Sequence, residues 1–86
     1  MSKMRAKFVV TGVVVAAMSE RVSFTGVSKS TPYPEDGSDE DNTFAKFSPQ
    51  ADCSITIANP ALLGKYKLGQ KFYADFTPIE EATAVA

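Results

Sequence analysis

Between Arg5 and Met18 every second residue is apolar: Ala6, Phe8, Val10, Val14, Ala16 and Met18, with Gly12 as the one break. A period of two over this length lays an apolar stripe along one face of an extended strand. The opposite parity starts polar, at Arg5, Lys7 and Thr11, and turns apolar at Val13 and Val15, which predicts one buried face at first and two buried faces later. Glycine inside a strand predicts a bend or bulge at residue 12.

The same stretch has the outline of a secretory signal peptide. Lys3, Arg5 and Lys7 precede an apolar run from Phe8 to Ala17 that ends in the small residues Val15-Ala16-Ala17. The run is β-branched and not leucine-rich, as a strand prefers, so a strand is expected and a cleaved signal peptide is not. It also falls short of the ~20 apolar residues a membrane-spanning helix needs, and no membrane partner is expected.

A second strand is predicted from Arg21 to Lys29, with Val22 and Phe24 on one face and Ser23 and Thr25 on the other. It pairs with the first as a hairpin. Residues 30–42 hold Pro32, Pro34, Gly37 and five acids, which rules out a regular strand and predicts a long exposed loop. A short strand is expected from Thr43 to Ser48, stopped by Pro49, and another from Asp52 to Ala58 with Cys53, Ile55 and Ile57 inward. Asn59-Pro60 reads as a helix start and Gly64 as its exit, so one helical turn is expected there, with Leu62 and Leu63 plugging one end of a barrel. The last strand is predicted from Gln70 to Thr77, with Phe72, Ala74 and Phe76 inward and Tyr73 and Asp75 outward. Thr77-Pro78-Ile79-Glu80 fits a capping box, so residues 79–86 form a short helix or a tail.

The chain has 86 residues, one domain's worth. The expected fold is all-β: a five- to six-stranded antiparallel barrel over residues 1–78, SH3-like, with one helical turn before the last strand. An oligonucleotide/oligosaccharide-binding barrel is the alternative. Closing the sheet removes exposed edges. A domain this small buries a modest share of its surface, so a homo-oligomer is expected.

Function classes narrow by what is missing. The chain has no histidine and one cysteine, Cys53. The commonest general base and metal ligand are absent, and no disulfide or cysteine-based metal cluster can form within the chain. Cys53 sits at an inward position and reads as a small buried hydrophobe. Asp52 and Asp75 read as solvated strand residues. No enzyme, metal site or cofactor is expected.

Charge is distributed unevenly. Glu35, Asp36, Asp39, Glu40 and Asp41 lie in one loop, and the nine basic residues against the remaining five acids leave the rest of the chain at +4. Such asymmetry steers a partner or folds the loop over its own basic face. With Tyr33, these five acids form the expected protein-binding loop. Arg5 and Lys7 near the start, and Lys65, Tyr66, Lys67, Lys71 and Tyr73 near the end, would share one patch if first and last strands are neighbours. Lysines interleaved with exposed rings suit single-stranded nucleic acid, charge for phosphate and rings for bases.

Several short motifs occur together: Arg5-Ala6-Lys7-Phe8, Asn42-Thr43-Phe44-Ala45-Lys46-Phe47-Ser48-Pro49, Ile57-Ala58-Asn59-Pro60, and Gly69-Gln70-Lys71-Phe72-Tyr73-Ala74-Asp75-Phe76-Thr77-Pro78. On these the chain resembles a group of small, mostly uncharacterised β-barrel proteins of tailed bacteriophages. The resemblance implies a phage or prophage origin, with the virion or the host cytoplasm as location, and carries no activity with it. Two functions are therefore expected in order: a non-enzymatic accessory or structural module acting through protein binding or self-assembly, and, as the alternative, a single-strand nucleic-acid-binding barrel.

Overall fold

The computed structural model describes residues 4–79. It contains four strands: β1 Met4–Val15, β2 Glu20–Gly26, β3 Asp52–Ile57 and β4 Lys71–Phe76. All pair antiparallel in one sheet of order β3-β2-β1-β4. The long first strand is what makes this order possible. Its first half pairs with β4, from Met4↔Phe76 to Val9↔Lys71, and its second half with β2, from Phe8↔Gly26 to Val15↔Glu20. The register shifts between Val10 and Gly12, the bulge that the glycine signalled.

Paired residues in an antiparallel sheet share a face, so the inner face is read directly from the register. It carries Met4, Ala6, Phe8 and Val10, then Val22 and Phe24, Cys53, Ile55 and Ile57, and Phe72, Ala74 and Phe76. The sheet curls around this face. The rings of Phe24 on β2 and Phe72 on β4 meet at 6.2 Å across the intervening β1, and one cavity touches both edge strands. The result is a half-barrel.

The buried core is Ala6, Phe8, Val10, Val22, Phe24 and Ile57. Phe24 is its hub, edge-on to Phe8 at 6.0 Å and to Tyr66 and Phe72 at 6.2 Å each. Edge-to-face geometry sets the positive ring edge against a negative ring face.

Several expectations are corrected. Among the described residues the sheet has four strands, not five or six, and it does not close. The predicted strand at 43–48 is replaced by turns and an isolated Ser38↔Lys46 bridge. Phe47 there adopts φ +63°, which a strand cannot contain, and its ring lies where a side chain on Gly37 would have to be. No helix is formed among the described residues. At 60–64 the chain makes consecutive turns, with Leu62 N–H donating to Asn59 O at 2.9 Å and Lys65 N–H to Leu62 O at 3.3 Å. Asn59 still acts as a cap, its Oδ1 accepting from Ala61 N–H at 3.0 Å. Leu63 packs on the core while Leu62 stays exposed. The register shift at Gly12 exchanges the faces of β1: Val13, of the second parity, pairs with Val22 and packs on the core, while Val14, of the first stripe, and Val15 are exposed at the hairpin end, so two buried faces do not form there. The proposed C-terminal helix from residue 80 onward, and Lys3, lie outside the described residues.

Buried Glu20 holds the 59–66 segment down. Its Oε1 accepts from Gly64 N–H at 2.6 Å, which brings Leu63 and Tyr66 onto the core. Hydrogen bonds to charged groups contribute about 2 kcal/mol. Glu20→Ala is expected to lose that amount in urea unfolding and to quench Tyr66 burial as seen by tyrosine fluorescence. An unchanged midpoint would show the segment to be held by packing alone.

Candidate functional site

The outer face of β1 and β4 carries a polar clasp. Arg5 pairs with Asp75 at 2.6 Å and its guanidinium carbon sits 4.5 Å from the Tyr73 ring centre. Lys7 Nζ lies 3.4 Å from Asp41, and Tyr73 Oη donates to Asp41 Oδ1 at 3.0 Å. Lys29 reaches Glu40 at 2.8 Å. The Asp41 hydrogen bond and charge push the Tyr73 hydroxyl above its ordinary pKa, and the Lys29 bond holds Glu40 below its own. The acidic segment 39–42 therefore folds over the chain's own basic face.

What seats that segment is Asn42, fully buried. Beyond the end of β2, the β1 main chain at Arg5 and Lys7 pairs with β4 on one side and has no strand on the other among the described residues. Asn42 takes the strand's place: Oδ1 accepts from Lys7 N–H at 2.8 Å, and Nδ2 donates to Val27 O at 2.7 Å and to Asp39 Oδ2 at 3.1 Å. Thr43 continues the pattern, its Oγ1 accepting from Arg5 N–H at 2.9 Å. Asp39, itself buried, accepts from the main chain of Lys29, Asp41 and Asn42. The expected exposed loop is thus corrected at its C-terminal end. Exposure remains true of Glu35, Asp36 and Glu40.

Burial raises the Asp39 pKa, but the hydrogen bonds from Asn42, Asp41 and Lys29 together outweigh it and the carboxyl ends below its ordinary value. The native state then binds this proton less readily than the unfolded chain does. The associated stability is present above the unfolded aspartate pKa of about 4 and is lost as pH falls through the folded value. Acid unfolding followed by circular dichroism is expected to begin below about pH 4, and Asp39→Asn is expected to flatten that dependence. A variant with the wild-type acid profile would assign the transition to other carboxylates.

The inner face is different in character. Past the core, one open cavity of about 560 Å³ is lined by Met4, Phe8, Phe44, Cys53, Ile55 and Phe76, among others. A smaller one of about 190 Å³ continues it toward Phe24, Tyr66 and Phe72. Ile55 is 51% exposed and Phe76 49%, although both point inward by register. Cys53 is exposed rather than buried. Its thiol is pushed up by partial desolvation and by Asp52, so the reactive thiolate is disfavoured. Among the described residues neither β3 nor β4 has a strand on its outer edge.

The predicted site residues are divided by this geometry. Arg5, Lys7, Lys71 and Tyr73 share the outer face of β1 and β4, as adjacency of first and last strands implies. Tyr66 does not join them; it turns inward against Phe24 and Phe72. Lys65 and Lys67 lie exposed in the 59–70 segment. Tyr33 meets the Phe47 ring in a tilted contact at 5.7 Å. Asp52 and Asp75 lie on opposite edge strands, with Asp75 held by Arg5. Among the described residues, no group of three or more metal-ligating side chains is placed to hold an ion, and no helix is long and apolar enough to cross a membrane. Comparison with protein-family models, with curated proteins and with solved structures found no match.

Proposed function

We propose that this chain is a non-enzymatic accessory or structural module of phage type that works by binding protein through its open inner face. In this reading the sheet is an SH3-like barrel short of its closing strands. The observation that carries the proposal is the apolar strip of Met4, Phe44, Ile55 and Phe76 left exposed between two strand edges that no other strand pairs among the described residues. A soluble chain rarely leaves such a strip uncovered unless something binds there. Free edges supply the main-chain groups that an added strand would use.

Nucleic acid is the second reading, favoured by Arg5 over the Tyr73 ring beside Lys7. Asp41 and Asp75 already occupy those cations and Tyr66 is withdrawn into the core, so protein is the preferred partner. The test is capture from a bacterial lysate by the immobilised chain, beside titration with a mixed-sequence single-stranded oligonucleotide at low salt. Retention of a protein that Ile55→Asp abolishes is expected, with no oligonucleotide binding. Salt-sensitive oligonucleotide binding lost in Lys71→Ala would move the function to the outer face.

A further inference from the structure

We infer that β4 is the seam of a symmetric dimer, in which a second copy of this chain pairs antiparallel with β4 about a two-fold axis at Tyr73. The inference rests on the protein-binding reading and names the partner. It starts from the direction of the main-chain groups. Val10 N–H donates to Gln70 O and Val10 O accepts from Gly69 N–H, so even-numbered residues of β1 face β4. By the register, Phe72, Ala74 and Phe76 bond back to β1. The N–H and C=O groups of Lys71, Tyr73 and Asp75 therefore point away from β1, toward the edge that has no strand beside it among the described residues.

Charge selects the arrangement. With the two-fold at Tyr73, Lys71 of each copy lies opposite Asp75 of the other. Lys71 is exposed and makes no ion pair within its own chain among the described residues. Asp75 keeps Arg5 and gains the second copy's Lys71, as a half-exposed carboxylate can. Two ion pairs related by one axis are what a self-complementary interface requires. On the inner face the same register sets Phe72 against Ala74 twice, large against small. Sliding the strands by two residues either way removes both ion pairs. The other edge, β3, presents Asp52, Ser54 and Thr56 on its outer face and carries no cation of its own; the nearby Arg21 of β2 is bonded to Ser54 Oγ at 2.9 Å. Three hydrogen-bonded residue pairs would exchange about six main-chain bonds, and the apolar inner faces would run on from one copy to the next.

The test is a mixing experiment read by light scattering and sedimentation. Lys71→Glu alone sets Glu against Asp at both contacts, and Asp75→Lys alone sets Lys against Lys. Each is expected to weaken self-association roughly tenfold to a hundredfold, while circular dichroism confirms the fold. Mixed in equal amounts, the two variants restore opposite charges at both contacts and are expected to form a heterodimer. In a Cys53→Ser background, Tyr73→Cys is expected to give a disulfide-linked dimer on mild oxidation, since Cα atoms of a hydrogen-bonded pair lie about 5.5 Å apart. A monomeric wild type, folded variants that stay monomeric when mixed, or no cross-link at residue 73 would each overturn the seam. If the wild type is monomeric yet still captures a different protein in an Ile55-dependent way, only the seam falls. If it captures nothing either, the protein-binding reading falls with it.

Discussion

Asn42→Ala is expected to destabilise the chain by about 3 kcal/mol, more than any other polar substitution. The substitution removes the acceptor of Lys7 N–H and the donor to Val27 O, neither of which a strand supplies. Each buried main-chain group left without a partner costs about 1–3 kcal/mol. Solvent entering the vacated space recovers part of that sum, which sets the figure near 3. Asn42→Asp separates hydrogen bonding from size. It keeps the acceptor for Lys7, loses both donors, and puts a second carboxylate against buried Asp39, so it is expected to be worse than alanine at neutral pH. Urea unfolding of the three proteins checks both statements. An alanine variant within about 0.5 kcal/mol of wild type would mean that the 39–43 segment is seated by its ion pairs and not by Asn42.

Phe24→Ala is expected to unfold the chain at room temperature. Removing a buried phenylalanine costs about 3–5 kcal/mol, and a small domain holds little more than that in total. Phe24 contacts three other rings, so its loss strands Phe8, Tyr66 and Phe72 together. The contrasting change is Ile55→Ser. Ile55 lies on the same face by register but is half exposed, so its replacement is expected to cost under about 1 kcal/mol of monomer stability. Thermal melts of the two variants would show the division of the inner face into core and open strip. Equal losses from both would mean that the strip is already covered in solution.

Much of the sheet was legible in residue alternation. The inward stripe Ala6, Phe8 and Val10, the glycine bulge and the inward parity of Phe72, Ala74, Cys53 and Ile55 follow from local rules and reappear in the register, whereas past the bulge the stripe changes face and Val13 replaces Val14 on the core side. Parity says which way a side chain points, however, and nothing about what covers it. That is why Cys53 and Ile55 point inward and remain exposed. Tyr66 was assigned outward by carrying strand alternation into a segment that forms turns, where the period does not hold. The fifth strand at 43–48 failed for a similar reason: Phe47 takes a left-handed conformation against Gly37, a long-range fit with no local mark. Asn42 was the residue least visible beforehand. Its role depends on two main-chain groups 35 and 15 positions away that no strand bonds, and the only hint was the acidic run ending on an amide. The folding of that run over Lys7 was one of two readings of the charge asymmetry, and the ion pairs with Lys7 and Lys29 show it.

The most direct measurement is light scattering coupled to size exclusion on the wild-type chain beside Ile55→Asp. The wild type is expected to retain a protein partner that a folded Ile55→Asp variant loses, while a dimer at twice the 9.2 kDa chain mass, held along the β4 edge at the far side of the sheet from Ile55, is expected to persist in that variant. A wild-type chain that retains no protein and behaves as Ile55→Asp does would contradict a binding role for the open inner face.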